Sequence, residues 1–272
     1  MSICYGIYAN LAAQFNEHNI NNILCEGLKH KLEYVYGDMS EKVIMPIEEI
    51  LNRAKEIKID DAYSVAVIAE EDTFFRLRFY RGSTSMSVFI SPSGNAWKND
   101  FQGREAIDFS RYVKLLLDIC PSFVINNFYL ESDLGLFPYG TLKNTFTILL
   151  NMPPNYDKSL SSAREFFGNI KQIGGNCVIL RENNFDPADF ISYIREGIRD
   201  GFERNRAMHM LIEFPESVIQ LSIFGSELLF TPQIPMKYKI VDGISGIDID
   251  YYVRLILSIT KEFALIELIS HF

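Results

Sequence analysis

The stretch Ile107–Phe123, IDFSRYVKLLLDICPSF, returns at Ile247–Phe263 as IDIDYYVRLILSITKEF, at a constant offset of 140. Eight of the seventeen positions are identical. In both stretches the apolar residues recur at helical spacing: Tyr112, Leu115, Leu116 and Ile119, then Tyr252, Leu255, Ile256 and Ile259. A chain that writes one amphipathic helix twice is expected to be internally duplicated.

The match extends outward from the helix. Ser91-Pro92 faces Thr231-Pro232 and Gly103 faces Gly243 at the same offset. Upstream the offset drifts to 144, with Leu77-Arg78-Phe79-Tyr80 against Leu221-Ser222-Ile223-Phe224, so a short insertion is expected in the first copy. Each copy reads as strand, helix, short strand, helix, three-strand meander, helix, strand. In the first copy the meander is expected over residues 63–69, 73–80 and 85–90, and in the second over 208–214, 218–224 and 227–230. Pro46 and Pro187 mark helix starts, where a missing N–H is harmless. Within Phe75-Arg76-Leu77-Arg78-Phe79 the apolar and basic residues alternate, as in a half-buried antiparallel strand with one wet face. The expected fold is α+β: two copies of a helix/antiparallel-meander/helix unit, packed with pseudo-two-fold symmetry. The first copy spans 1–135 and the second 141–272, together forming one compact unit. The turn-rich stretch Glu131–Thr141 joins them.

Composition narrows the class. Hydrophobic residues make up 48% and charged residues 22%, too apolar for a disordered chain. No apolar run approaches the ~18 residues needed to cross a bilayer, and the start lacks the basic and apolar regions of a signal peptide. Cys4, Cys25, Cys120 and Cys177 form no CxxC pair and read as reduced, buried thiols in a cytoplasmic protein. Net charge is −9; residues 1–140 carry 13 Lys/Arg against 19 Asp/Glu, and 141–272 carry 13 against 16. Neither half is basic, so a nucleic-acid backbone would be repelled by the mean field.

Candidate site residues are few. Asp108 and Asp248 stand just before the repeated helix and are expected as structural N-caps rather than a catalytic pair. Glu70-Glu71-Asp72 falls at a hairpin turn, and none of His18, His30, His209 and His271 has a metal-ligand spacing, so no metal and no cofactor is expected. Gly174-Gly175 reads as a plain helix terminator, and no nucleophile elbow or phosphate loop is present, so no catalytic residue is assigned. Arg76, Arg78 and Arg81 cluster with Tyr80, a group suited to an anion or an acidic partner. Gln220 and Ser222 stand where the second copy would carry the first two arginines, so the core does not require them.

Two segments of equal length, Ser93–Ala106 and Gln233–Gly246, are expected to be irregular. The first holds the single tryptophan, Trp97, with Phe101 nearby; the second holds Met236 and Tyr238. Aromatic residues on loops commonly anchor recognition surfaces. Trp97, Phe101, Arg76 and Arg78 are therefore the expected partner-binding residues. The expected function is a non-enzymatic cytosolic protein-binding module, immunity-protein-like or secretion-chaperone-like. The element order is similar to that of small secretion chaperones, with no shared motif. The alternative is a small-ligand-binding protein or enzyme using the groove between the repeats.

Overall fold

Alternation becomes strand, as along Phe75–Phe79. The computed structural model describes residues 5–37, 42–69, 73–92, 97–99, 105–107, 109–132, 145–150, 156–178, 187–224, 227–260 and 265–271. The protein is α+β, and its described residues form six helices with antiparallel strand pairing. The chain divides into two compact units. Unit 1 holds residues 1–97, 109–140 and 239–249, and unit 2 holds 98–108, 141–238 and 250–272. Each unit thus takes in a short hairpin segment from the other half of the sequence.

In unit 1 the elements are β1 (Tyr5–Leu11), α1 (Glu17–Lys29), β2 (Glu33–Val35), α2 (Ile47–Lys55), β3 (Asp61–Ala69), β4 (Thr73–Arg81) and β5 (Met86–Pro92). The hairpin β6 (Trp97–Asn99) and β7 (Glu105–Ile107) follows in sequence, then α3 (Phe109–Asp118) and β8 (Ile125–Ser132). The strands run β2-β3-β4-β5-β1-β8. Register places Leu77 of β4 between Val65 and Ile90, and Phe79 between Tyr63 and Val88. Val65, Leu77, Phe79, Val88 and Ile90, with Ile7, Ala9 and Leu11 of β1, form the buried face, and Tyr63 on the same side is half-buried.

The helices of this unit lie on that face. Tyr34 of β2, level with Val67, sends its hydroxyl to the Leu24 carbonyl of α1 at 2.8 Å. Tyr112 of α3 meets Phe75 edge-on at 6.0 Å. Gly27 permits the close approach of α1, since a Cβ there would stand 2.0 Å from the Tyr34 hydroxyl. Asn16 caps α1 by accepting from Asn19 N at 2.8 Å. At the other end Lys31 adopts a left-handed φ of 59°, Leu32 N bonds Gly27 O and Lys31 N bonds Leu28 O, a Schellman closure.

In unit 2 the elements are β9 (Thr145–Leu150), α4 (Tyr156–Gln172), β10 (Asn176–Val178), α5 (Pro187–Arg204), β11 (Met208–Phe214), β12 (Ser217–Phe224) and β13 (Glu227–Gln233). The hairpin β14 (Tyr238–Val241) and β15 (Ile244–Ile247) follows, then α6 (Ile249–Ile259) and β16 (Leu265–His271). The strands run β10-β11-β12-β13-β9-β16. Met210, Ile212, Ile219, Leu221, Ile223, Leu228 and Phe230 are buried, and Phe190 of α5 packs on Phe166 and Phe167 of α4. Gly197 lets α5 close on β12, where a Cβ would meet Ile223 at 3.0 Å. Helix α4 ends as α1 does, with Gly174 at φ 78°, Gly175 N on Ile170 O and Gly174 N on Lys171 O.

Several expectations change. The segments read as irregular each contain a hairpin, β6–β7 and β14–β15. The second turns at Asp242-Gly243, both at positive φ, the conformation a two-residue type I′ turn requires. On the repeated helix, Leu115 and Leu255 are only half-buried. The buried stripe is Tyr112, Val113, Leu116, Leu117 and Ile119, and Tyr252, Val253, Ile256, Leu257 and Ile259. The described residues contain no helix long and apolar enough to cross a membrane.

Candidate binding face

The far side of the unit 1 sheet is fixed by the parity of β4. Phe75, Leu77 and Phe79 point to the helices, so Phe74, Arg76, Arg78 and Tyr80 point away. Register sets their neighbours. Arg76 lies between Ala66 and Ser91, Arg78 between Ser64 and Phe89, and Tyr80 between Ala62 and Ser87. Strand β1 adds Tyr8 beside Phe89 and Asn10 beside Ser87.

Arg76 is exposed. Arg78 is half-buried, with its guanidinium 4.8 Å above the Phe89 ring centroid. Phe89 in turn stacks on Tyr8, with ring centroids 4.5 Å apart and planes 20° from parallel. A cation over an aromatic face is worth roughly 0.5–2 kcal/mol, more as water is excluded. The stack therefore fixes Arg78 in one place. Its Nε is buried without an acceptor, and so is the Ser64 hydroxyl directly across the β3–β4 pair. Leaving such groups unsatisfied costs about 1–3 kcal/mol each.

The margin of this face is polar. Asn10 Nδ2 donates to Ser87 Oγ at 3.1 Å and to Ser85 Oγ at 3.4 Å. Tyr80 donates its hydroxyl to Asp60 Oδ1 at 3.1 Å, and that bond chiefly raises the phenol's pKa. Arg81, grouped with Arg76 and Arg78 in the sequence, belongs elsewhere. Its odd-numbered position turns it to the helix side, where Nη1 donates to Ile57 O at 2.7 Å and the guanidinium lies 5.6 Å over Phe15. Next to the sheet's edge on this side, Val35, Ala66 and Ile68 form a small buried cluster with Phe74 against it.

The other expected residues are described only in part. Trp97 is placed by its backbone in β6, and its side chain lies outside the described residues. Phe101, Asp108, Cys4 and Glu70-Glu71-Asp72 also lie outside them. Asp248 immediately precedes α6, the position of an N-cap.

Two further polar clusters went unread in the sequence. On β11 and β12, His209 Nδ1 and Ser222 Oγ stand 2.7 Å apart, and Gln220 Nε2 donates to the same oxygen at 3.3 Å. The pair has nucleophile–base spacing, but none of the bonds described brings a carboxylate to orient the imidazole. Around α2, Glu49 accepts from the Tyr36 hydroxyl on one oxygen and from Arg53 Nη2 at 2.5 Å on the other. The Tyr36 bond chiefly holds the Glu49 carboxyl below its ordinary pKa, and the same bond raises that of Tyr36. This cluster ties a helix to a strand. Burial pushes the Cys177 thiol up to about 12, so it is an inert thiol. Among the described residues no group of three or more His, Cys, Asp or Glu is placed to hold a metal.

No protein-family model, curated protein or solved structure matches the chain. The functional reading therefore rests on its own residues.

Proposed function

We propose that the chain is an internally duplicated, non-enzymatic protein-binding module, and that the Arg76–Arg78 face receives its partner. The observation that carries this reading is Arg78, held on the Phe89–Tyr8 stack with its Nε lacking an acceptor. A charged group fixed beforehand loses little entropy on binding. An immunity-protein-like or secretion-chaperone-like role is the form we propose, in the cytoplasm. The unbridged thiols Cys25 and Cys177 suit a reducing compartment.

Duplication is part of the same reading, with the copies paired about a pseudo-two-fold axis. What supports it is the shared element order and the shared strand order. Register supports it too: Phe75 faces Pro92 in β4–β5 as Ile219 faces Pro232 in β12–β13. Stepping along both pairs leaves the turn Gly82–Ser85 as the insertion that shifts the offset. The Schellman closures after α1 and α4 agree as well.

The test is capture of the native partner by tagged chain purified from its own cells, compared with Arg76→Ala, Trp97→Ala and the doubly substituted Arg76→Ala/Arg78→Ala. One protein lost from the double variant, at a melting temperature within a few degrees of wild type, supports the reading. Identical captures from all variants, or a small molecule carried through purification in place of a protein, would overturn it.

A further inference from the structure

The geometry points to an acidic, extended segment of the partner, with carboxylates at alternate residues, as the ligand of the Arg76–Arg78 face. This inference rests on the binding-face reading above and specifies its chemistry. Arg76 and Arg78 leave one strand on the same side, two residues apart, a spacing of ~6.8 Å at the rise of an antiparallel strand. An extended chain running along β4 repeats its own side chains at that interval. Asp or Glu at positions i and i+2 would then meet both guanidiniums at once. A segment with acids three residues apart would turn every second carboxylate to its opposite side.

Two features of the site favour a carboxylate. The guanidinium fork matches two carboxylate oxygens, and such charge-assisted pairs are the stronger hydrogen bonds. Arg78 is already fixed over Phe89, while Arg76 is exposed and free to adjust its reach. Of the carboxylates described near this face, Asp60 is bonded to Tyr80, and Glu33 stands out at the short edge strand β2. The net charge of −9 opposes an acidic ligand at long range. That field is screened beyond ~8 Å at physiological salt, so the local arginines decide the contact.

The experiment uses two fluorescent peptides of equal charge, one repeating Glu-Thr and the other Glu-Thr-Thr, each with four Glu. Fluorescence anisotropy measures their binding to the full chain and to Arg76→Ala, Arg78→Ala, Arg78→Lys and Arg195→Ala. The last alters an exposed arginine of α5 in unit 2. We expect the Glu-Thr peptide to bind at least about tenfold tighter than the Glu-Thr-Thr peptide. We expect at least about a fivefold loss at Arg76→Ala and at Arg78→Lys, and no change at Arg195→Ala. Arg78→Lys keeps the charge while removing the fork, and Arg76 is exposed, so the outcome does not hang on whether Arg78→Ala folds. Equal affinity for the two peptides, a loss shared by Arg195→Ala, or displacement by millimolar inorganic phosphate would overturn the inference. If native capture depends on Arg76 and Arg78 while neither peptide binds, this inference falls and the binding-face reading stands. If the peptide binds in an arginine-dependent way while native capture does not change, the binding-face reading falls and takes this inference with it.

Discussion

Glu49 holds two donors at once, the Tyr36 hydroxyl and the Arg53 guanidinium, and both bonds need its carboxylate ionised. Its folded pKa is therefore depressed, mainly by the Tyr36 bond. A depressed carboxyl contributes stability that is fully present above the unfolded-state pKa and is lost as pH falls through the folded one. Glu49→Gln keeps the shape and removes the charge. Its melting temperature should lie below wild type at neutral pH, and the gap should close as the pH falls below the ordinary glutamate range and through the lowered folded-state pKa, where the wild-type carboxyl protonates as well. Melting curves across that range decide it. A gap that is constant, or that widens in acid, would show that the pair contributes nothing through its charge. The Glu49–Arg53 pair follows i,i+4 helix spacing, but its link to Tyr36 was not legible in the sequence, because no spacing rule connects a strand end to the helix packed against it.

At the scale of elements, α3 and α6 test how well periodicity locates a core. Spacing alone pointed to Leu115 and Leu116, and to Leu255 and Ile256, alike, yet each helix turns Leu116 or Ile256 fully inward and leaves Leu115 or Leu255 half-buried. Both leucines lie on the apolar side, and only the sheet's position chooses between neighbours about 100° apart on a helix of 3.6 residues per turn. Leu116→Ala and Ile256→Ala should each cost about 2–5 kcal/mol in denaturant unfolding. Leu115→Ala and Leu255→Ala should cost less than half as much; equal losses would mean the helices sit rotated from this description. The strands were more legible, since parity alone put Phe75, Leu77 and Phe79 on one side and Arg76 and Arg78 on the other. What lies beside Arg78 was not, because Phe89 and Tyr8 reach it only through the registers of β4–β5 and β5–β1. The β14–β15 hairpin could have been found: Val241-Asp242-Gly243-Ile244 is a type I′ signal between short alternating runs.

Across the whole molecule the least legible feature is the exchange of hairpins. Neither composition nor spacing says that residues 239–249 complete the unit built mainly from the first half of the chain. Two contacts show how they do so. Lys239 Nζ donates to the Pro121 carbonyl at 2.7 Å, just after α3. Gly246 of β15 comes so close to Val124 that a Cβ would stand 2.6 Å from its Cγ1. Here glycine answers a need for space, since nothing larger fits between β15 and the start of β8. The hairpin's other exposure is considerable: Ile240 and Ile244 are 71% and 45% exposed. It is thus held on one side only, and its attachment should break without loss of the sheet. Gly246→Val is expected to speed hydrogen exchange across β14 and β15 and to open the Asp242-Gly243 turn to proteolysis. The melting temperature of the chain should fall by far less than for Leu116→Ala. The paired strands β3, β4 and β5 should keep their protection. Unchanged exchange in the hairpin would mean the Gly246–Val124 contact does not hold it, and a loss of protection in β3–β5 as well would mean the hairpin is an integral part of the unit 1 core.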